Sequence, residues 1–248
     1  MRKRFLAIHP LIGTKNKPTT LNLLYRSPYY WWWEYLRRNA DYLDCCSKGG
    51  AGELAPLYAD FGDVRGDSFR EWWGAPQNRG EYLFAEQPAD FSVKKVNEEG
   101  CALLHATPNV MLVAVNMKRG RRLLQKQFAT LLQREHQGKR GRISLGSTVS
   151  SARYSLHRNF SAHNLKEMLR TYDAVTANEA LPKSQRLKLW QIGESLSLVP
   201  TAMPKKWDSV YETRHKHNTM TMTVSRYTKN ARAIIRNTAF GQFPNSNG

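Results

Sequence analysis

The clearest alternation of apolar and polar positions lies near the C-terminus. Val224, Tyr227, Ala231, Ile234 and Ile235 fall on one arc of a helical wheel, and Arg226, Lys229, Arg232 and Arg236 fall on the other. This predicts a helix over 219–237, stopped by Phe240-Gly241-Gln242-Phe243-Pro244. Upstream, Leu165, Met168, Leu169 and Tyr172 recur at i, i+3, i+4 and i+7, which predicts a helix over 161–177 with Ser161 as its N-cap. Pro182 opens a further helix over 183–198, and a Pro- and Lys-rich connector over 199–218 separates it from the last one. Met117–Gln137 predicts another amphipathic helix, with Leu124, Phe128, Leu131 and Leu132 opposite Lys118, Arg122, Lys126 and Gln133.

The front of the chain is patterned by aromatic residues. Tyr29, Trp32, Trp33, Leu36 and Tyr42 can share one face of a helix over 29–47, which Gly49-Gly50-Ala51-Gly52 terminates. Short helices follow over 53–61 and 67–73. Residues 91–117 read as extended. Asn109–Asn116 is a continuous apolar run suited to a strand buried on both faces, with Phe91–Val96 and Cys101–His105 as partners. The expected fold is α+β and mostly helical, with a small strand-helix unit. Its parts are a basic arm at 1–20, an aromatic helical domain at 21–90, the strand-helix unit at 91–140, and a basic helical region at 150–244.

Charge sharpens this division. Residues 1–20 hold five bases and no acids, residues 21–100 nine bases and thirteen acids, and residues 101–248 twenty-four bases and seven acids. The formal net charge of +18 is thus carried by the two ends, and it points to a polyphosphate partner. Duplex DNA is the favoured ligand and RNA or single strands the alternative. The residues expected to meet it are Thr223, Ser225, Arg226, Lys229, Arg232 and Arg236 on the last helix. Lys205 and Lys206 in the connector, Lys139, Arg140 and Arg142 in the loop, and Lys118, Arg122 and Lys126 on the middle helix would add to them. The aromatic front is expected to bury its rings in its own core, to meet a protein partner or to self-associate. A base-stacking surface is the sharper alternative.

Two local patterns carry resemblances. Leu189-Trp190-Gln191-Ile192-Gly193-Glu194-Ser195-Leu196 resembles the first helix of a helix-turn-helix pair, and Thr221-Met222-Thr223-Val224-Ser225-Arg226-Tyr227 resembles the opening of a recognition helix. About 20 residues separate them, where that family uses three or four. Trp33-Glu34-Tyr35-Leu36-Arg37-Arg38-Asn39-Ala40-Asp41-Tyr42 is similar to the signature of the proteobacterial transcriptional regulator-like domain of mobile-element proteins. That likeness implies a bacterial setting and a regulatory role, with Trp33, Leu36 and Tyr42 inward and Arg37 and Arg38 outward.

Enzyme chemistry finds little support. There is no phosphate-binding glycine loop, dinucleotide fingerprint or nucleophile elbow. Asp60, Asp63, Asp67 and Glu71 could hold Mg²⁺ for phosphodiester hydrolysis, but they suit caps and turns better. His215-Lys216-His217 lacks a third metal ligand at a usual spacing. Cys45, Cys46 and Cys101 match no zinc spacing, and the adjacent pair is ill placed for a disulfide. The expectation is a non-catalytic DNA-binding protein, a transcriptional regulator or accessory factor of a bacterial mobile element, with no cofactor and no metal; the alternative is a structural subunit of a larger nucleoprotein complex that binds RNA or single-stranded DNA. With no apolar run near ~20 residues and no secretory leader, a cytoplasmic protein without membrane contact is expected.

Overall fold

The nine residues Pro28–Leu36 include a single charge, Glu34, so a helix built from them is apolar on nearly every side and has to be buried. A computed structural model of the chain describes residues 4–14, 16–17, 19–76, 78–86, 111–135, 150–157 and 161–247. Among the described residues the α-helices in chain order are α1 (Leu21–Leu24), α2 (Pro28–Leu36), α3 (Ala40–Ser47), α4 (Ala55–Phe61), α5 (Phe69–Gly74), α6 (Arg79–Phe84), α7 (Arg121–Glu135), α8 (Ala162–Glu179), α9 (Leu189–Ser195) and α10 (Val210–Thr238). Residues Met1–Gln87 and Ser144–Gly248 make one unit, and Pro88–Ile143 a second.

In the first unit every residue of α2 except Glu34 is buried. The Trp32 ring is fully enclosed by Phe61, Phe84, Tyr154 and Phe243, with centroids 5.1–6.1 Å away. Trp33 meets Phe69 and Trp72. These rings come from four helices, from the segment before α8 and from the tail after α10. The aromatic front and the basic C-terminal region therefore share one core, which also holds Leu165, Leu169, Ala231, Ile234 and Ile235. Rings of this size bury ~150–250 Å² each, and truncating one in a core costs about 3–5 kcal/mol.

Polar arms fix the long helices on α2. The Tyr35 hydroxyl donates to the Leu165 carbonyl at 2.9 Å. The Arg38 guanidinium grips both carboxylate oxygens of Asp173 at 2.7 Å, and its remaining nitrogen donates to Glu34. Asn39 donates to the Ile235 carbonyl at 2.7 Å and accepts the Tyr42 N–H at 2.9 Å as the cap of α3. That cap explains why the single helix expected over 29–47 is two, broken at Arg37–Asn39. It also corrects the outward placement of the two arginines. Arg38 ties α2 to α8, and Arg37 pairs with Asp67 at 2.7 Å while lying over the Trp33 ring.

The α+β expectation is overturned. No strand occurs among the described residues, which contain only the isolated bridges Arg4–Glu86 and Leu156–Phe243. Residues 111–116 of the expected central strand are irregular and exposed, and its supposed partners over 91–105 lie outside the described residues. An apolar run without alternation carries no strand signal of its own, so pattern alone could not settle this segment. In the second unit, α7 has no fully buried residue. Leu124 and Leu131 are half-covered, and Phe128 and Leu132 are exposed.

Two predictions follow from this core. Gly80 packs against the Trp73 ring so closely that an added Cβ would lie 2.0 Å from it. Gly80→Ala should cost about 1–3 kcal/mol by overpacking, seen as a lower urea midpoint; an unchanged midpoint would show that the α5–α6 contact is looser than described. Burial also pushes the phenols of Tyr29, Tyr30, Tyr35, Tyr42 and Tyr154 far above the ordinary tyrosine value. A folded-state pKa above the unfolded one of about 10 gives stability that is complete below pH ~10 and lost as the pH rises beyond it. Phenolate absorbance at these residues should therefore appear together with loss of helical circular dichroism. Ionisation with the helices intact would contradict the burial.

Candidate nucleic-acid interface

α10 is the element on which the expected ligand contacts converge, and its start is set by a capping box. Ser209 Oγ accepts the Glu212 N–H at 3.2 Å, and the Glu212 carboxylate accepts the Ser209 N–H at 2.8 Å. The helix thus begins at Val210 and not near 219, and its 29 residues span about 43 Å. Met220, Val224, Ala231 and Ile234 turn inward at 0–1% exposure. Gly193 lets α9 close on this face, since a Cβ there would lie 2.2 Å from Met220.

The opposite arc is the candidate site. Along it run Tyr211, Arg214, His215, Asn218, Met222, Ser225, Arg226, Lys229, Arg232 and Arg236, all exposed and none acidic. Glu212 is the helix's single carboxylate, and the cap consumes it. Among the described residues, Arg214, Arg226, Lys229 and Arg236 have no carboxylate partner. Arg232 is shared with Glu179 on α8, one nitrogen lying 2.9 Å from both oxygens. Both partners are half-exposed, so this pair is worth only about 0–1 kcal/mol.

Where α10 passes α8 and α9, the arc forms one wall of an open cleft of about 850 Å³. Ser225, Thr228, Lys229, Arg232 and Arg236 line it on one side, with Val175 and Glu179 of α8, Leu189 of α9 and Ser246 of the tail on the others. The Thr228 hydroxyl is buried there without a hydrogen-bond partner. The turn from α8 to α9 carries Lys183, Arg186 and Lys188, all exposed. Arg186 closes the end of α8 by donating to the Glu179 and Leu181 carbonyls. Sequence reasoning passed over these three cations and Arg214. The spacing of bases in Lys183-Ser184-Gln185-Arg186-Leu187-Lys188 was the available signal.

The other expected contacts are dispersed. Thr223 is on the buried side, 9% exposed, and its hydroxyl donates to the Thr219 carbonyl, so it cannot reach a ligand. With α10 starting at Val210, Thr223 and Ser225 lie mid-helix and not at the tip of a recognition helix. The connector from α9 also remains far longer than a helix-turn-helix turn. Lys205 and Lys206 are exposed just before α10, about 29 Å along the helix from Lys229. Lys118, Arg122 and Lys126 are exposed on or beside α7 in the second unit. Lys139, Arg140 and Arg142 lie outside the described residues. Trp31, Trp32, Trp33, Trp72 and Trp73 are all 5% exposed or less, so these rings offer no outer face to a protein partner or to stacked bases.

No family model, curated protein or solved structure matches the chain. Its chemistry is read from its own side chains. The acidic run is spent on arginines and caps: Asp60 holds Arg153 and the Tyr154 hydroxyl, Asp63 holds Arg65, and Asp67 holds Arg37. Glu71 sits at the start of α5, where its N–H meets the Ser68 cap. Among the described residues no three His, Cys, Asp or Glu side chains converge on a point where a metal could sit. His217 stacks on Trp190 at 3.7 Å, with its Nε2 3.5 Å from Glu194. Lys216 lies 2.7 Å from the Asp208 carboxylate and, with the Lys205 N–H, holds that carboxyl below the usual range. No described helix is long and apolar enough to cross a membrane.

The partners of Asp60 generate a test. Asp60→Ala leaves Arg153 and Tyr154 without their acceptor and should cost about 1–3 kcal/mol in urea unfolding, by the same amount with and without Mg²⁺. A Mg²⁺-dependent stabilisation of the wild type, absent from the variant, would instead give the carboxylate a metal to hold.

Proposed function

We propose that the protein is a non-catalytic nucleic-acid-binding protein that lays the exposed arc of α10 and the adjoining turn at 183–188 along a phosphate backbone. The observation that carries this reading is the charge ratio at the cleft. Lys229, Arg232 and Arg236 line it against the single carboxylate of Glu179, and Lys183, Arg186 and Lys188 are exposed on the turn that leads into Leu189 at its edge. Such a density of like charge on a well-packed helix is costly in the free protein and is relieved by a polyanion. Arg214 and Arg236 are about 33 Å apart along α10, so the arc can follow a backbone over many phosphates. Phosphate contacts of this kind position a ligand without reading its sequence. Duplex DNA and single strands offer the same phosphates to the arc.

Affinity should fall steeply with salt, because each neutralised phosphate releases condensed counterions. Fluorescence anisotropy over a salt series measures this. The double change Lys229→Ala with Arg236→Ala should weaken binding and flatten the log–log slope by about 1.8 on duplex DNA or about 1.4 on single strands. Binding that ignores salt, or a slope untouched by the double change, would overturn the reading.

A further inference from the structure

The proposed function leaves the N-terminal end of α10 unexplained, and that end is chemically different. Trp207 is 79% exposed, whereas the five tryptophans of the core are at 5% or below. Tyr211 is also 79% exposed and Val210 88%. These side chains are held outward by a pinned turn. Asp208, next to Trp207, is almost enclosed and accepts both the Lys205 N–H at 2.6 Å and the Lys216 ammonium at 2.7 Å. The Ser209–Glu212 capping box fixes the next residues. The Lys205 ammonium lies 5.7 Å from the Trp207 ring centre, Lys206 precedes that ring in the chain, and Arg214 lines a shallow pocket with Asp208 and Val210. Both carboxylates of this stretch, Asp208 and Glu212, are engaged by the turn and the cap.

Trp207 and Tyr211 leave ring surface open to a partner, and an aromatic ring beside a cation is the chemistry that receives an unpaired base: the ring face stacks and the cation meets the phosphate. We propose that Trp207 and Tyr211 form a stacking platform for unpaired bases, so that the strand carried along α10 is single. This rests on the nucleic-acid reading above and adds the form of the ligand. Paired bases are stacked within their duplex and present no free face to the rings, whereas a single strand can place bases at this end and run its phosphates toward Lys229 and Arg236.

The test uses the full chain with a labelled oligo-dT strand and a duplex of equal length, at one salt concentration. Wild type should prefer the single strand. Trp207→Ala should weaken single-strand binding about five- to hundredfold and leave duplex binding within about twofold, and Trp207→Phe should restore most of the loss. Because Trp207 is outside the core, an unchanged circular dichroism spectrum and urea midpoint are expected for both variants. Equal affinity of wild type for both ligands, no loss in Trp207→Ala, or an equal loss on both ligands would overturn the platform while leaving phosphate binding by α10 intact. Wild type that binds neither ligand would overturn the nucleic-acid reading, and the platform with it.

Discussion

The structure depends on one constraint: α2 has no side that water can face. A nine-residue helix carrying three consecutive tryptophans must be surrounded, and the chain surrounds it with elements from both of its ends. Burial alone would leave those neighbours free to slide, because apolar contact is not directional. Tyr35, Arg38 and Asn39 remove that freedom. Each reaches from the last turn of α2, or just beyond it, to one named group on α8 or α10. The rotation of α10 is set in this way, and with it the direction in which its arginines point.

That arrangement also sorts the charges. In the first unit several acids of the aromatic half are spent internally, Glu34 on Arg38, Asp60 on Arg153 and Asp67 on Arg37, and Asp173 of α8 meets the same Arg38. These pairs consume bases from the same half or from the segment beside it. The surplus is left where acids are scarce, on α10 and the turn before α9. A net charge of +18 would say little if it were spread evenly. In the first unit, exposed bases without a carboxylate partner recur along the outer arc of α10, with further exposed bases in the turn before α9, and Glu179 is the carboxylate that interrupts the arc.

Much of α8 and α10 was legible from periodicity. Val224, Ala231, Ile234 and Ile235 of α10 and Leu165 and Leu169 of α8 were expected inward and are buried, whereas Met220 and Val175 were not singled out; the exposure of Ser225, Arg226, Lys229, Arg232 and Arg236 agrees with the outer arc of the wheel. Thr223 was misplaced because it stands 100° from Met222 on one side and from Val224 on the other, at the margin where a polar residue can turn either way. Its back-bond to the Thr219 carbonyl satisfies the hydroxyl inside the helix. The start of α10 was missed for a related reason. Residues 210–218 project beyond the core and carry no apolar stripe, so no period marks them, and the capping box at Ser209 and Glu212 was the signal to use. The sharing of one core by residues 21–86 and 150–247 leaves no local trace, since it arises from contacts such as Trp32 with Phe243 between positions far apart in the chain. The strand expected at 109–116 shows the reverse error, a strong local apolar run with no alternation to say which structure it serves.

Seven tryptophans look alike as letters, and the structure separates them by what each ring touches. Those of α2 and α5 bring the folding free energy. Trp190 is covered by His217. Trp207 is 79% exposed with the Lys205 ammonium near its ring. A helix whose one end is locked into the core by Asn39 and whose other end carries an aromatic turn is an unequal lever. The locked end can hold phosphates at fixed spacing without moving, and the projecting end can meet bases whose positions vary. Cations alone would grip any polyanion equally. On the proposed reading, the uncovered ring at one end of the cationic arc is what would let the same helix distinguish a strand with free bases from one whose bases are already paired.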